Sequence, residues 1–328
     1  MPSTTKIKDK KVSERFSSLK TRKFWYRFIG FGIFIPVFLF SILILIVYIN
    51  QDAIIQAEID ALNKGHKGKI TIGDTHLEPF KNFPYITIRV DDVRILESKL
   101  TDAEEILNVA DINLGFSICD IAFGNYDVQK LLVEEGRFNI ILHKDGTTNI
   151  QNALATTDEG ESEEPMDIHL KNIELRNLDI HKFDETTNID VETFIYSAKG
   201  GFKTQGEIIN AHIDTDFELN VIDNGDTTYI NKKHFELHTD IGYNEETELL
   251  NIQPSGIRME HGDFDIMGSI DIQKDMTLDL EVKGTKPNFD MLIAFAPVDL
   301  IPVLERYKNA GNIYFNASIK GPTLHGIM

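Results

Sequence analysis

The sequence FPYITIRVDDV, residues 83–93, alternates apolar and polar side chains with a period of two. Successive side chains of an extended strand point to opposite faces, so Ile86, Ile88 and Val90 would share one face. The polar residues between them would share the other face. The stretch therefore predicts a β-strand with one buried and one solvated face.

The same alternation continues along most of the chain, and turn signals such as Asp145-Gly146 and Gly200-Gly201 separate the segments. The further period-two segments are 112–118, 138–142, 168–170, 173–175, 178–180, 217–221, 235–237, 257–259, 264–266, 270–272, 278–282 and 313–319. Because strands joined by short turns usually pair antiparallel, the pattern predicts a mainly β fold. We expect an antiparallel meander of strands with a few short helices.

Two segments predict these helices. Asp52 can cap a helix that ends near Lys64, with Gly65 as the stop. Residues 287–307 are helical in composition but contain Pro297 and Pro302, which predicts two short helices in place of one long one.

An apolar segment precedes all of this, since residues 28–49 read FIGFGIFIPVFLFSILILIVYI without a charge. At about 1.5 Å per residue, such a helix reaches roughly 33 Å, enough for the ~30 Å hydrocarbon core of a bilayer. We therefore predict a transmembrane helix, with Phe28, Pro36, Leu43 and Ile49 as anchor residues. The run is longer than the apolar part of a signal peptide and no A-x-A-like site follows it, which argues against cleavage.

The charge differs on the two sides of this helix. Residues 1–27 hold nine Lys or Arg and two acidic residues, a net charge of +7, and the chain total of -19 leaves -26 for the remainder. Since positive segments stay on the cytoplasmic side, residues 1–27 are predicted to form a basic cytoplasmic tail, with the β domain across the membrane. No basic stripe follows Arg27, so nucleic acid is not an expected partner.

Candidate chemical sites are few. Cys119 is the only cysteine, so no intrachain disulfide or thiolate metal cluster can form. His234, Glu236 and His238 would share a strand face, but apolar residues alternate with them, which favours a solvent-facing polar row over a metal site. The sequence contains no recognisable catalytic or nucleotide-binding motif. We expect no metal, no cofactor and no enzymatic activity.

Residues 154–167 are acidic and rich in Ser and Thr, with almost nothing apolar. Such a composition cannot bury enough apolar surface to pack, and it predicts a flexible loop. The loop divides the β domain into a first region, residues 50–153, and a second region, residues 168–328. A further strand is expected after Gly321-Pro322, which would make the chain the N-terminal part of a longer protein.

The apolar faces of a dozen strands need more cover than about three short helices supply. Either two sheets pack on each other as a sandwich, or one curved sheet forms a groove whose apolar face meets a greasy ligand. Exposing a two-tailed lipid to water costs about 0.8 kcal/mol per methylene, or roughly 25 kcal/mol for about thirty methylenes. A membrane-attached apolar groove would remove that barrier, but the alternation alone leaves both arrangements open.

The order of these features resembles the AsmA family of envelope proteins, and the likeness covers most of residues 20–322. After the N-terminal apolar span, the matching stretches are KITIGD (69–74), FPYITIRVDDV (83–93), ADINLGFSICDIAFGNYDVQKL (110–131), EEGRFNIILHKDGTTNI (134–150) and DLIPVLERYKNAGNIYFNASIKGP (299–322). The resemblance implies an inner-membrane protein of Gram-negative bacteria in which a long, antiparallel, curved β-sheet with a few short helices forms a periplasmic, taco-like β-groove. It also implies a role in outer-membrane biogenesis, with phospholipid as the partner.

On this reading, apolar strand residues contact the acyl chains. The predicted lipid contacts are Ile86, Ile88, Val90, Leu114, Phe116, Ile140 and Leu142. The alternative is a non-catalytic β-sandwich scaffold that is anchored in the inner membrane and binds other envelope proteins.

Overall fold

In the computed structural model of this protein, the described residues are 38, 41, 42, 44, 45, 48, 49, 52, 53, 55–57, 59–82, 85–123, 127–156, 171–223, 227–272, 277–286, 288–307 and 311–322. The predicted cytoplasmic tail, the anchor residues Phe28, Pro36 and Leu43, and positions 157–167 of the acidic segment lie outside them. Ile49 is described and helical, as are the other described positions between 38 and 49. Within the described residues, no helix is both long enough and apolar enough to cross a membrane.

The chain divides into two compact units, residues 1–52 and residues 53–328. The second unit is built on one long, curved, open sheet of 13 strands, which confirms the predicted mainly β fold. The strands are β1 (Lys69–Thr71), β2 (Thr75–Asn82), β3 (Tyr85–Leu96), β4 (Glu105–Ser117), β5 (Val128–Leu142), β6 (Asn172–Asp184), β7 (Ile189–Gln205), β8 (Ile208–Asp223), β9 (Thr227–Asn244), β10 (Leu249–Met259), β11 (Gly262–Asp271), β12 (Thr277–Gly284) and β13 (Asn316–Pro322).

From β3 to β13 the strands lie side by side in sequence order, and β1 and β2 pair with different parts of β3 at one edge. The described strands therefore form one sheet and not the two packed sheets of a sandwich. Consecutive strands of such a meander make mostly local contacts through short turns, which explains why period-two segments in the sequence follow the spatial order.

One strand pair departs from the antiparallel prediction. β5 and β6 are parallel, with Lys130 opposite Asn172 and Leu142 opposite Asp184, so the expectation of an antiparallel meander throughout is wrong here. A parallel pair requires the chain to cross back to the starting end of the first strand. β5 ends at Leu142 and β6 begins at Asn172, so the chain crosses back between these two residues.

Short helices accompany the sheet. They are α1 (Ile118–Ala122), α2 (Asn149–Leu154), α3 (Asp290–Ala294) and α4 (Ile301–Leu304), with a 3-10 turn at Val298–Leu300. Residues 59–65 are helical as well, as predicted. The segment 287–307 contains the two expected short helices, although Pro302 lies in the first turn of α4, where a missing N–H is tolerated, and does not interrupt it.

A row of extra residues crosses five adjacent strands, β3 to β7. In β7, Ile195 and Ser197 pair with the consecutive β8 residues Phe217 and Asp216, so Tyr196 is a bulge. In β3 to β6, the residues that lie in line with Tyr196 are Asp92, Ala110, Glu135 and Asn177. Each of the five strands therefore has one extra residue at the same level of the sheet. We call these five positions the bulge row.

The bulge row reverses the side-chain phase of each strand that it crosses. In β6, Leu175 precedes the row and Leu178 follows it, yet both lie on the same face, because the left-handed Asn177 (φ 51°) takes up the odd residue. Asp92 and Glu135 have left-handed backbones too, with φ of 50° and 55°. The segments 173–175 and 178–180, which looked like separate strands in the sequence, are the two halves of β6.

Candidate functional site

The two faces of the sheet differ in chemistry. Following the register and its bulges across the sheet, one face carries mostly apolar side chains on every strand from β3 to β13, and we call it the apolar face. It includes Ile88, Leu114, Val133, Leu178, Ile195, Phe217, Phe235, Ile257, Ile266, Leu280 and Ile319. The bulge row is what keeps this face continuous, since unbroken alternation would send half of each strand's apolar residues to the other side.

The cover over the apolar face changes along the sheet. At β3 it is largely closed, with residues such as Ile88 and Val93 buried, and β4 has both buried residues such as Val109 and half-buried residues such as Leu114. Ile121 of α1, which contacts β4, is buried at the same end of the sheet. From β6 to β13 most apolar-face side chains, such as Phe217, Ile252 and Ile266, are only half-buried. The described residues therefore leave the second half of the apolar face partly open.

The seven predicted lipid contacts fall into two groups. Ile86, Ile88, Val90 and Phe116 are 0%, 1%, 3% and 4% exposed. Leu114, Ile140 and Leu142 are half-buried. All but one of the first group come from β3, which lies near the closed end of the sheet. In this conformation an acyl chain can reach only members of the second group.

Helix α3 packs on the apolar face at β11. Met291 and Ala294 are both 0% exposed and form a cluster with Phe264, which is surrounded by half-buried residues of the neighbouring strands. Phe295 follows the helix and is half exposed. Its ring lies 5.6 Å from that of Phe264 and 5.4 Å from that of Phe315. The helix covers a small part of the face.

A cavity of about 300 Å³ opens beside α3. It is lined by Thr228, Ile230, Asn231, Lys233, Met259, Ala294, Phe295, Ala296 and Pro297. We call it the α3 cavity. Lys233 is not singled out in the sequence analysis. Its alternation with Phe235 and Leu237 is the signal that predicts a lysine on the apolar face.

The opposite, polar face carries ion pairs between neighbouring strands. Glu174 of β6 lies 2.6 Å from Arg176, 3.7 Å from Lys130 of β5 and 3.8 Å from Lys199 of β7. Burial raises the pKa of Glu174, but the hydrogen bond and the charge of Arg176, with the two lysines, outweigh it and hold the pKa below its ordinary value. Around these residues the polar face is a charge-paired surface, which does not suit an acyl chain.

The histidines of β9 belong to this polar face and do not converge. His234 lies 3.1 Å from Asp216, and His238 lies 2.6 Å from Asp214, both on β8. Glu236 instead pairs with Arg258 of β10. Each member of the row meets a cross-strand partner, in agreement with the predicted solvent-facing polar row.

A different group brings potential metal ligands together. Ligand atoms of Glu97, Glu104 and His143 lie within 4.8 Å of one another. The His143 ring also lies between two carboxylates, with Nε2 3.2 Å from Glu97 and Nδ1 3.4 Å from Glu185. Burial lowers the pKa of His143, but the negative charges and hydrogen bonds of Glu97 and Glu185 raise it more, so its pKa lies above 6.5. The contacts with Glu97 and Glu185 account for the position of the His143 ring.

The polar face also has a cavity of about 480 Å³ over β5 to β9. Its lining includes Arg137, His181, Glu192, Glu218 and Lys232. Charges of both signs surround it, and Glu192 accepts a hydrogen bond from Asn220 at 2.9 Å. This cavity suits water better than an acyl chain.

The chain matches no protein-family model, no curated protein and no solved structure. The AsmA resemblance therefore stays a prediction.

Proposed function

We propose that this protein is a membrane-anchored envelope protein of the AsmA type, and that it binds phospholipid acyl chains along the apolar face in outer-membrane biogenesis. One observation supports the proposal above the others. A single sheet keeps one face apolar over eleven consecutive strands, and the described residues cover the half from β6 to β13 only in part. An unfilled apolar surface of this extent needs a partner that is itself apolar.

The dimensions and energies suit an acyl chain. Neighbouring strands lie about 4.8 Å apart, so the seven intervals from β6 to β13 give a path of roughly 34 Å, similar to the ~30 Å hydrocarbon core of a bilayer. Each methylene removed from water contributes about 0.8 kcal/mol, so ten methylenes on this face contribute about 8 kcal/mol before ordering costs. Half-buried residues such as Phe217 and Ile266 would supply the contacts.

The proposed anchor comes from the sequence. The charge-free run at residues 28–49 follows a tail with a net charge of +7, which favours a cytoplasmic N-terminus and a periplasmic sheet. Anchoring in the inner membrane would bring the apolar face near a source of phospholipid.

Site-specific photo-crosslinking tests the proposal on β11. A photoreactive phenylalanine analogue at Ile266, on the apolar face, should capture phospholipid in a Gram-negative host, and the adduct is read by mass spectrometry of the purified full chain. Asp265 is exposed on the opposite face of the same strand and is the matched control, which should capture none. Equal capture at both positions, or capture at neither, would overturn the proposal. Capture of one defined protein at Ile266 would favour the scaffold alternative.

A further inference from the structure

Lys233 is a charged residue on the apolar face, and a bulge in β9 explains its position. Leu219 of β8 pairs with Lys233 and Val221 pairs with Ile230, so β9 has one residue more than β8 in this interval. Lys232 takes the left-handed backbone, with φ of 45°. Ile230 and Lys233 consequently point to the same face, together with Phe235.

The side chain of Lys233 has little contact with water and few partners. The residue is 6% exposed, and its Nζ donates one hydrogen bond, 2.6 Å long, to the carbonyl oxygen of Ala296. An ammonium group has three N–H donors. Among the described residues, no carboxylate forms an ion pair with it. A cation that is buried without an anion is costly, and a ligand that brings a negative charge would offset that cost.

The surroundings of the ammonium define the rest of that ligand. Lys233 lines the α3 cavity, whose other walls include the apolar side chains of Ile230, Met259 and Phe295. A volume of about 300 Å³ is at the lower end of the range for ligand sites, so it accommodates a head group and the first part of a chain. The remainder of the chain would continue over the half-open apolar face.

We propose that the α3 cavity binds the anionic head of an acyl lipid, with its phosphate or carboxylate on Lys233 and its first methylenes against Met259 and Phe295. This inference rests on the proposed function and adds the chemical class of the ligand. A neutral lipid leaves the lysine without its counter-charge, so the cavity selects anionic over neutral acyl lipids. The carbonyl of Ala296 holds the ammonium in place at the cavity wall.

Equilibrium binding to the purified full chain, held in an amphipathic polymer, tests the selection. The radiolabelled probes are lysophosphatidate, palmitate and neutral monopalmitoylglycerol, and inorganic phosphate is the competitor without a chain. Lys233→Met removes the charge at nearly the same length, whereas Lys233→Arg keeps it. Lys320→Met removes an exposed lysine that pairs with Asp279 on the polar face, and it is the matched control. The melting temperature of each variant shows whether it is folded.

The expected result is that the wild type binds at least one anionic probe about tenfold more tightly than the glycerol ester. This preference should disappear in Lys233→Met and survive in Lys233→Arg and Lys320→Met. A tenfold change corresponds to about 1.4 kcal/mol, within what one charge-assisted hydrogen bond provides. Which anionic probe binds more tightly separates a phosphate head from a carboxylate head.

Three results would overturn the inference. They are equal binding of anionic and neutral probes by the wild type, an unchanged preference in folded Lys233→Met, and displacement of the lipids by phosphate at the same concentration as by an acyl anion. In the first two cases acyl binding persists, and the proposed function stands without the charge selection. Absence of binding by all acyl probes would instead count against the proposed function itself.

Discussion

Replacing Met291 by alanine should weaken the docking of α3 on the sheet while leaving the sheet folded. Met291 is 0% exposed and packs with Phe264 and Ala294, and truncating a buried methionine to alanine costs about 2–5 kcal/mol. A helix of five residues, Asp290–Ala294, has no stability of its own in water, so the loss falls on the local docking equilibrium. At the lower limit of about 2 kcal/mol, the population of the undocked helix rises by about 30-fold.

Hydrogen exchange measures this opening directly. The amides of Leu292 and Ile293 donate to the carbonyl of Phe289 at 3.0 and 3.1 Å, and both should exchange about 30-fold faster in Met291→Ala. Leu292→Ala is the matched control, because Leu292 lies in the same helix and is 42% exposed. Equal acceleration in both variants, or acceleration spread evenly over β6 to β9, would show that Met291 does not hold α3 on the sheet.

Two further predictions concern packing and pH. Gly284→Ala should destabilise the protein by about 1–3 kcal/mol, because the added Cβ would overlap the sulfur of Met291. Denaturant unfolding should show a smaller loss of unfolding free energy when the same substitution is made in Met291→Ala. An equal loss in both backgrounds would contradict this. His143→Asn should lower the melting temperature most below pH 6.5. Since folding raises the pKa of His143 beside Glu97 and Glu185, its contribution is complete below 6.5 and is lost as pH rises through the raised value. A deficit that grows from pH 6 to pH 8 would contradict the assignment.

The strands could be predicted from the sequence because apolar and polar residues alternate over most of them. The phase reversal inside a strand was harder to interpret. In β6, Ile173–Leu175 and Leu178–Ile180 look like two strands, since a single unbroken alternation cannot place both on one face. The left-handed Asn177 resolves the conflict, but the sequence alone does not separate a bulge from a turn at such a position.

The parallel pair of β5 and β6 depends on long-range geometry. A long polar segment between two strands is compatible with a loop that returns in either direction, and only the register of Lys130 with Asn172 shows the crossover.

Burial was also hard to predict along the apolar face. Ile88 and Leu114 have the same phase and pair with each other, yet the first is buried and the second half-buried, so the alternation alone does not predict the degree of burial.

A photo-crosslinking scan of β6 shows residue by residue whether acyl chains lie on the apolar face. With the photoreactive analogue placed at each position from Ile173 to Ile180, we expect phospholipid capture at Ile173, Leu175 and Ile180 and none at Arg176 or Asp179. Before Asn177 the residues that capture lipid should have odd numbers, and after Asn177 they should have even numbers. Equal capture on both faces, or capture at odd-numbered residues up to Asp179, would show that acyl chains do not lie on the apolar face.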